Sequence, residues 1–82
     1  MIIINVHYMA LNQNYDFRVD EDTPIRIITE EMVSMISQRE HMQFEGNSEL
    51  LLLSNLNTRI IFSPLSSLSE NGVRSGDTLI LV

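Results

Sequence analysis

The feature that most constrains the fold is the C-terminal segment, residues 68–82. A leucine and a polar turn are followed by the pair Gly76-Asp77 and a final run of apolar residues. Glycine accepts the positive φ that tight turns need, and an aspartate side chain can bond nearby backbone amides. The pattern therefore predicts a turn at Gly76-Asp77 that leads into the closing strand of a small sheet, Thr78 to Val82.

The size and composition of the chain indicate a single globular domain over residues 1–82. With 82 residues, of which 44% are apolar, the chain lies near the lower limit for one hydrophobic core. It contains no cysteine, which excludes disulfides, thiol nucleophiles and cysteine metal sites. No signal peptide and no apolar run of about 20 residues is evident, so we expect no direct membrane insertion.

The charge balance excludes two classes of partner. Eleven acidic residues face five basic ones, all arginine, for a net charge of -6. Binding to nucleic acid depends on neutralising phosphates, and adsorption to anionic lipid depends on basic patches. We therefore expect neither nucleic acid nor a lipid surface as a partner.

Alternating apolar residues predict an N-terminal hairpin. Ile2 to Tyr8 places its even-numbered, strongly apolar positions on one side, and Tyr15 to Val19 alternates aromatic or aliphatic residues with charged ones. Leu11 to Asn14 is typical of a turn, since asparagine tolerates left-handed geometry.

A helix is predicted from about Pro24 to Arg39. Asp22 or Thr23 would cap its free amides, and proline suits the first helical position. Residues at helical spacing are expected to form the buried stripe, whereas Ile27 and Val33 are expected to face water. The predicted stripe consists of Ile25, Ile28, Met32, Met35 and Ile36.

The second half of the chain predicts three more strands. After a loop from Glu40 to Ser48, short strands are expected at Glu49 to Ser54 and at Arg59 to Phe62, the latter stopped by Pro64. With the closing strand, the order is strand, strand, helix, strand, strand, strand. This order predicts an α+β protein, a β-grasp with a five-stranded mixed sheet and one main helix on one face.

The sequence resembles the ubiquitin-like superfamily, and within it the EsaB/YukD family encoded with bacterial type VII secretion systems. The helix opening Thr23-Pro24-Ile25-Arg26 is similar to the Pro-Ile-Lys opening of that family. The tail matches its Leu-x-x-x-Gly-Val-x-x-Gly-Asp-x-Leu-x-Leu form. The matching positions are Leu68, Gly72, Val73, Gly76, Asp77, Leu79 and Leu81.

The resemblance implies a non-enzymatic interaction module. Its expected role is that of a cytoplasmic bacterial accessory or regulatory component of a type VII protein secretion system. Its expected partners are membrane or ATPase components of that machinery, with a homodimer as a further possibility. The alternative is a ubiquitin-like modifier or sulfur carrier. The chain lacks lysine and ends at Val82 without Gly-Gly, so this alternative is disfavoured.

The residue types that carry chemistry do not assemble a catalytic or metal site in the sequence. His7 and His41 have no partner at metal-ligand spacing. The acidic cluster of Asp16, Asp20, Glu21 and Asp22 lacks the alternating calcium loop and is better explained as a helix start. We expect no enzymatic activity and no cofactor.

The outward face of the sheet is the candidate protein-binding surface. One helix covers one face of a sheet, and the other face would normally be polar. Apolar residues in outward positions then favour docking of a partner or a second copy, against the alternative that they reflect ordinary strand propensity. The predicted surface residues are Ile3, Met9, Leu51, Leu53, Ile80 and Val82. The predicted core comprises Ile4, Val6, Phe17, Val19, Ile25, Ile28, Met32, Ile36, Leu68, Leu79 and Leu81.

Overall fold

The computed structural model describes residues 1–43 and 51–82, which form a mixed sheet with one helix. The strands are paired in the order β2-β1-β4-β3. Strand β1 runs antiparallel to β2 and parallel to β4, and β3 runs antiparallel to β4. The elements are β1 (Ile2–Tyr8), β2 (Gln13–Val19), α1 (Ile25–Arg39), β3 (Leu53–Asn55) and β4 (Thr78–Leu81).

The N-terminal hairpin forms as its alternation predicts. Ile4 is opposite Phe17 and Val6 is opposite Tyr15, and all four side chains are buried. Asn12 adopts a φ of 50° in the connecting turn, a conformation that asparagine tolerates better than most residues. The hairpin thus presents one apolar face to α1 and leaves its other face to solvent.

The hydrophobic core lies between the sheet and α1. Every residue of the predicted core is buried in the structure, so the inward faces of β1, β2, β4 and the helix are confirmed. Tyr8, Tyr15, Leu53, Phe62 and Val73 join this cluster. With neither cysteine nor a long chain, this packing is the main source of stability.

The buried stripe of α1 differs from the predicted one at two positions. Met35 is 55% exposed, and Val33, expected to face water, is buried; Ile27 is partly buried. The buried positions 25, 28, 29, 32, 33 and 36 each have another buried position three or four residues away, which places them on one face of the helix. Position 35 falls outside that face, so the methionine at it points away from the core.

The start of α1 is stabilised by tertiary contacts instead of the predicted side-chain cap. The helix begins at Ile25, Pro24 occupies the N-cap position, and no side chain caps the helix. The backbone N–H of Ile25 donates to the carbonyl of Ser66 at 2.8 Å, and that of Arg26 donates to Pro64 at 2.9 Å. The loop before β4 thereby satisfies amides that a helix start leaves unpaired.

The described residues form four strands, so the prediction of a fifth at Arg59 to Phe62 is wrong. This segment lies beside β3, where Phe62 N–H donates to Leu53 O at 2.9 Å, but it makes only one isolated bridge, between Ser54 and Ile61. Arg59 has a φ of 60°, and Pro64 follows shortly afterwards, so little extended chain is left between them. The predicted strand at Glu49 to Ser54 is observed as Leu53–Asn55, and residues 44–50 lie outside the described part.

The turn before β4 has the predicted chemistry. Gly76 has a φ of 93°, a conformation that side-chain-bearing residues rarely adopt. Its N–H donates to the carbonyl of Ile3 at 2.7 Å, and Asp77 Oδ2 accepts the N–H of Arg74 at 2.9 Å. The turn therefore ties the start of β4 to β1 and fixes which β4 residues face the helix.

Candidate functional site

The candidate site is the face of the sheet opposite α1, where side chains from four strands form rows. Directly paired residues lie on the same face, so the pairings define those rows. His7 is opposite Ile80, Ile80 is opposite Ser54, and Ser54 forms the bridge with Ile61. A neighbouring row contains Met9, Val82 and Leu52. The N–H of Met9 donates to Leu81 O at 3.1 Å, which places Met9 beside Val82.

Apart from Ile3, the half of this face that β1 and β2 supply is polar, and most of its polar side chains are paired. Asn5 Nδ2 donates to Asp16 Oδ1 at 3.0 Å, and His7 Nδ1 lies 2.9 Å from Asn14 Oδ1. These cross-strand pairs satisfy polar side chains on a surface that faces water. This half has the composition expected for the uncovered side of a sheet.

In the half that β4, β3 and the following segment supply, the outward residues are mainly apolar, with Thr78 and Ser54 as polar exceptions. Val82 and Leu52 exchange two backbone hydrogen bonds, of 2.8 and 2.9 Å, beyond the ends of β4 and β3. Val82 is 58% exposed, Leu52 is 43% exposed and Ile80 is partly buried. Five residues in the two rows described above form what we call the apolar patch: Met9, Leu52, Ile61, Ile80 and Val82.

The structure places two of the predicted surface residues on the other side of the sheet. Leu53 is only 1% exposed and pairs with Leu81, which is fully buried. Leu51 is partly buried and packs against the core. Their predicted outward orientation is therefore wrong, because successive residues of a strand alternate between faces and the assignment was shifted by one residue.

The other four predicted residues do face outward, but they do not form one group. Met9, Ile80 and Val82 lie together in the apolar patch. Ile3 is exposed, yet it pairs with Arg18 and accepts the N–H of Gly76, at the opposite end of β1. The row of Asn5 and Thr78 separates it from the patch.

Two members of the apolar patch, Leu52 and Ile61, were not predicted. A run of four leucines carries no alternation, so it does not reveal which of its positions face outward. The signal that could have found Leu52 is Ser54, a polar residue two positions along the strand and on the same face. No comparable signal marks Ile61, because its position depends on the single bridge to Ser54.

The acidic cluster Asp20 to Asp22 has a structural explanation. Glu21 Oε1 accepts a hydrogen bond from the amino group of Met1 at 2.8 Å, an exposed ion pair that lowers the pKa of the Glu21 carboxyl and raises the pKa of the amine. Asp20 Oδ1 accepts the N–H of Asp22 at 2.9 Å, and Asp22 Oδ1 accepts Ser69 Oγ–H at 2.7 Å. These bonds join the start of the chain and the loop before β4 to the end of β2.

A groove separates β2 from the second half of α1. Its volume is about 360 Å³, and Tyr15, Met35 and Arg39 are among the residues that line it. Burial and the hydrogen bond that the Tyr15 hydroxyl donates to Glu40 Oε1, at 2.8 Å, raise the pKa of the phenol above its usual value. The guanidinium of Arg39 lies 5.8 Å from the centre of the same ring.

Solved structures with the same fold are ubiquitin and ubiquitin-like domains. The ubiquitin of Caldiarchaeum Subterraneum is 12% identical with a TM-score of 0.73, over 98% of this chain and 89% of that one. The N-terminal ubiquitin-like domain of the 4931431F19Rik protein is 23% identical with a TM-score of 0.72, over 99% and 72%. A designed protein based on human erythrocytic ubiquitin is 21% identical with a TM-score of 0.70, over 100% and 90%. At these identities the likeness shows the ubiquitin-like fold alone.

The family assignment comes from the sequence. No curated protein matches the chain significantly. No helix among the described residues is long and apolar enough to cross a membrane. Residues 2–81 match the family described as WXG100 protein secretion system (Wss), protein YukD. The chain, with its ubiquitin-like fold, therefore belongs to the YukD family of the WXG100 protein secretion system.

Proposed function

We propose that this protein is a non-enzymatic docking module of the bacterial secretion machinery, and that it acts in the cytoplasm as an accessory or regulatory subunit. The observation that carries the proposal is the apolar patch on a face of the sheet that no element of the described chain covers. Membership of a secretion-system family supplies the context, and a membrane component or ATPase of that system is the proposed partner.

The distribution of polar residues supports a binding role for the patch. If strand propensity alone accounted for exposed isoleucine and valine, these residues should be spread evenly over the outward face of the sheet. Instead, β1 and β2 carry one exposed isoleucine, Ile3, among polar outward residues, whereas Ile80, Val82 and Leu52 are neighbours. Large exposed side chains gathered in one place are typical of an interaction surface.

The chemistry of the described residues favours docking over catalysis. His7 is paired with Asn14, and the acidic cluster is engaged in local hydrogen bonds, so these groups serve the fold. The net charge of -6 favours a partner whose surface carries basic residues around an apolar centre. Such complementarity mainly speeds the encounter, while burial of the patch supplies the affinity.

Copurification of secretion components with the tagged protein tests this function. Ile80→Glu should abolish capture of its membrane or ATPase partner, because a carboxylate would be buried without a partner at the interface. Asn14→Asp adds the same charge to the same face, and its carboxylate can still pair with His7, so capture should persist. Equal capture by both variants would contradict docking through the patch.

A further inference from the structure

Strand β2 forms an edge of the sheet, and the described residues leave this edge open along its whole length. The order β2-β1-β4-β3 places this strand at the end of the sheet, and no strand of the described residues pairs with its outer side. Natural edge strands are usually short or are blocked by proline, bulges or lysine. Strand β2 spans seven residues and contains no proline, glycine or lysine.

The backbone groups on this edge can be identified from the pairing of β1. The N–H of Asn5 donates to Asp77 O at 3.0 Å, so the backbone of Asn5 is directed to β4 and away from β2. Its partner Asp16 therefore directs its own N–H and C=O to the open edge, because backbone groups alternate in direction along a strand. Three residues present such groups there: Asn14, Asp16 and Arg18.

We propose that two copies of this chain associate through this edge, with β2 antiparallel to β2 of the second copy about a twofold axis at Phe17. The pairing would join the two sheets into one continuous sheet with both helices on the same side. The interface is isologous, since each copy contributes the same strand. It lies on the opposite edge of the sheet from β3, so it is independent of the proposed function of the apolar patch.

Charge favours this register over the two registers obtained by moving the axis one residue in either direction. With the axis at Phe17, Asp16 of each copy is opposite Arg18 of the other, which gives two pairs of opposite charge. A shift that places the axis at Asp16 puts the two aspartates opposite each other, and a shift to Arg18 does the same with the two arginines. Directly opposed like charges destabilise a sheet, and opposite charges stabilise it. Neither Asp16 nor Arg18 forms an ion pair within the described residues, and Asp16 is bonded only through Oδ1, to Asn5.

The rest of the surface is compatible with this pairing and limits its strength. The acidic clusters at Asp20 to Asp22 would lie at opposite ends of the paired edge, roughly 20 Å apart at about 3.3 Å per residue. The grooves that contain the exposed Met35 would face each other across the axis. Because only one strand of each copy makes the contact and each copy carries a net charge of -6, we expect weak association, with a Kd on the order of 100 µM.

Sedimentation analysis of the full chain up to about 1 mM tests the proposal, since weak contacts appear only at high concentration. The wild type should form a dimer, and Arg18→Glu should weaken it about tenfold or more, because it creates two like-charge contacts. The double variant Asp16→Arg with Arg18→Asp should restore the dimer, because it exchanges the two charges. Arg59→Glu carries the same charge change beyond β3 and should leave the dimer unchanged.

Disulfide formation between two variants tests the register directly. The chain has no native cysteine, and residues in a hydrogen-bonded antiparallel pair have Cα atoms about 5.5 Å apart, within the range of a disulfide. A mixture of Asp16→Cys and Arg18→Cys should form a mixed disulfide much faster than either variant alone forms a homodimer.

Three results would overturn the proposal. One is a wild type that remains monomeric at the highest concentration. This includes the case in which the backbone amides of β2 become protected from hydrogen exchange only when a secretion component is added. Another is a charge-exchanged variant that stays monomeric. The third is a mixture of cysteine variants that shows no preference for the mixed disulfide. The two variants also separate the two proposals. Ile80→Glu should lose the secretion partner but still dimerise, and Arg18→Glu should be monomeric but still capture the partner. Either result shows that the apolar patch and the β2 edge act separately.

Discussion

Strand β4 and the residue that follows it carry large apolar side chains on both faces of the sheet, but only one of these faces packs against the core. Leu79 and Leu81 point towards α1 and are fully buried, whereas Ile80 and Val82 point away from it and lie in the apolar patch. The inward pair is explained by the hydrophobic core. The outward pair has no such explanation within the described residues, although the polar pairs of β1 and β2 show that the same face can carry hydrophilic residues. The core therefore accounts for the inward residues Leu79 and Leu81, and the proposed docking would account for Ile80 and Val82.

The largest expected effect comes from placing a carboxylate on each face of β4 in turn. Leu79→Asp would bury an unpaired charge and should lower the free energy of unfolding by several kcal/mol, about 3 or more. Ile80→Asp should cost less than about 1 kcal/mol, since its side chain reaches solvent. Urea denaturation measures both, and equal losses would show that Ile80 belongs to the core.

The corrected orientation of the leucine run can be tested in the same way. Leu53→Ala should destabilise the protein by about 2–5 kcal/mol, because it leaves a cavity in the core. Leu52→Ala, next to it and exposed, should cost less than about 1 kcal/mol but should weaken capture of the partner. If Leu52→Ala cost more stability than Leu53→Ala, Leu53 would face outward as the sequence predicted, and Leu52 would not belong to the apolar patch.

The turn that orients β4 should give an intermediate effect. A side chain at Gly76 would meet no atom within 4 Å, so only its φ of 93° opposes substitution. Gly76→Ala should therefore cost about 1 kcal/mol, through backbone strain alone. Thermal denaturation measures the loss, and Arg74→Ala, at a nearby exposed position, is the control. An unchanged melting temperature would mean that the turn does not fix the orientation of β4.

The smallest effect concerns Tyr15, an inward residue of β2 whose hydroxyl reaches the end of α1. Burial and the bond to Glu40 raise the pKa of the phenol above about 10 in the folded state. A raised pKa means that the neutral phenol contributes stability below pH 10, and this stability is lost as the pH rises through the folded value. Absorbance at alkaline pH should show Tyr15 ionising above the pH expected for a free tyrosine.

The control for this titration is Tyr15→Phe, which should lack the late-ionising group and lose less stability between neutral and alkaline pH than the wild type. An ordinary titration of Tyr15 would show that the bond between its hydroxyl and Glu40 is not maintained in solution.

Most of the fold could be predicted because its signals are local. The alternation of the N-terminal strands and the Gly76-Asp77 turn each depend on a few neighbouring residues, and the structure confirms them. The cap of α1 could not be predicted in the same way, because the amides of Ile25 and Arg26 are satisfied by carbonyls far along the chain. Tertiary contacts replaced a plausible local cap, and nothing in the helix sequence indicates them.

The candidate site was harder to predict than the core. An exposed patch depends on which residues of different strands become neighbours, so it requires both the register and the correct face of each strand. Ile3 has the right face but the wrong row, and Leu53 has the right strand but the wrong face. Ile61 joins the patch through an isolated bridge that local propensity does not reveal.

Site-specific photo-crosslinking in the producing bacterium tests the central claim most directly. A photoreactive amino acid at position 82 or 52, within the apolar patch, should form a covalent product with a membrane or ATPase component of the secretion system. The same amino acid at Asn14, on the polar half of the same face, should not. Crosslinks from position 14 alone, or none from either patch position to any secretion component, would contradict docking through the apolar patch.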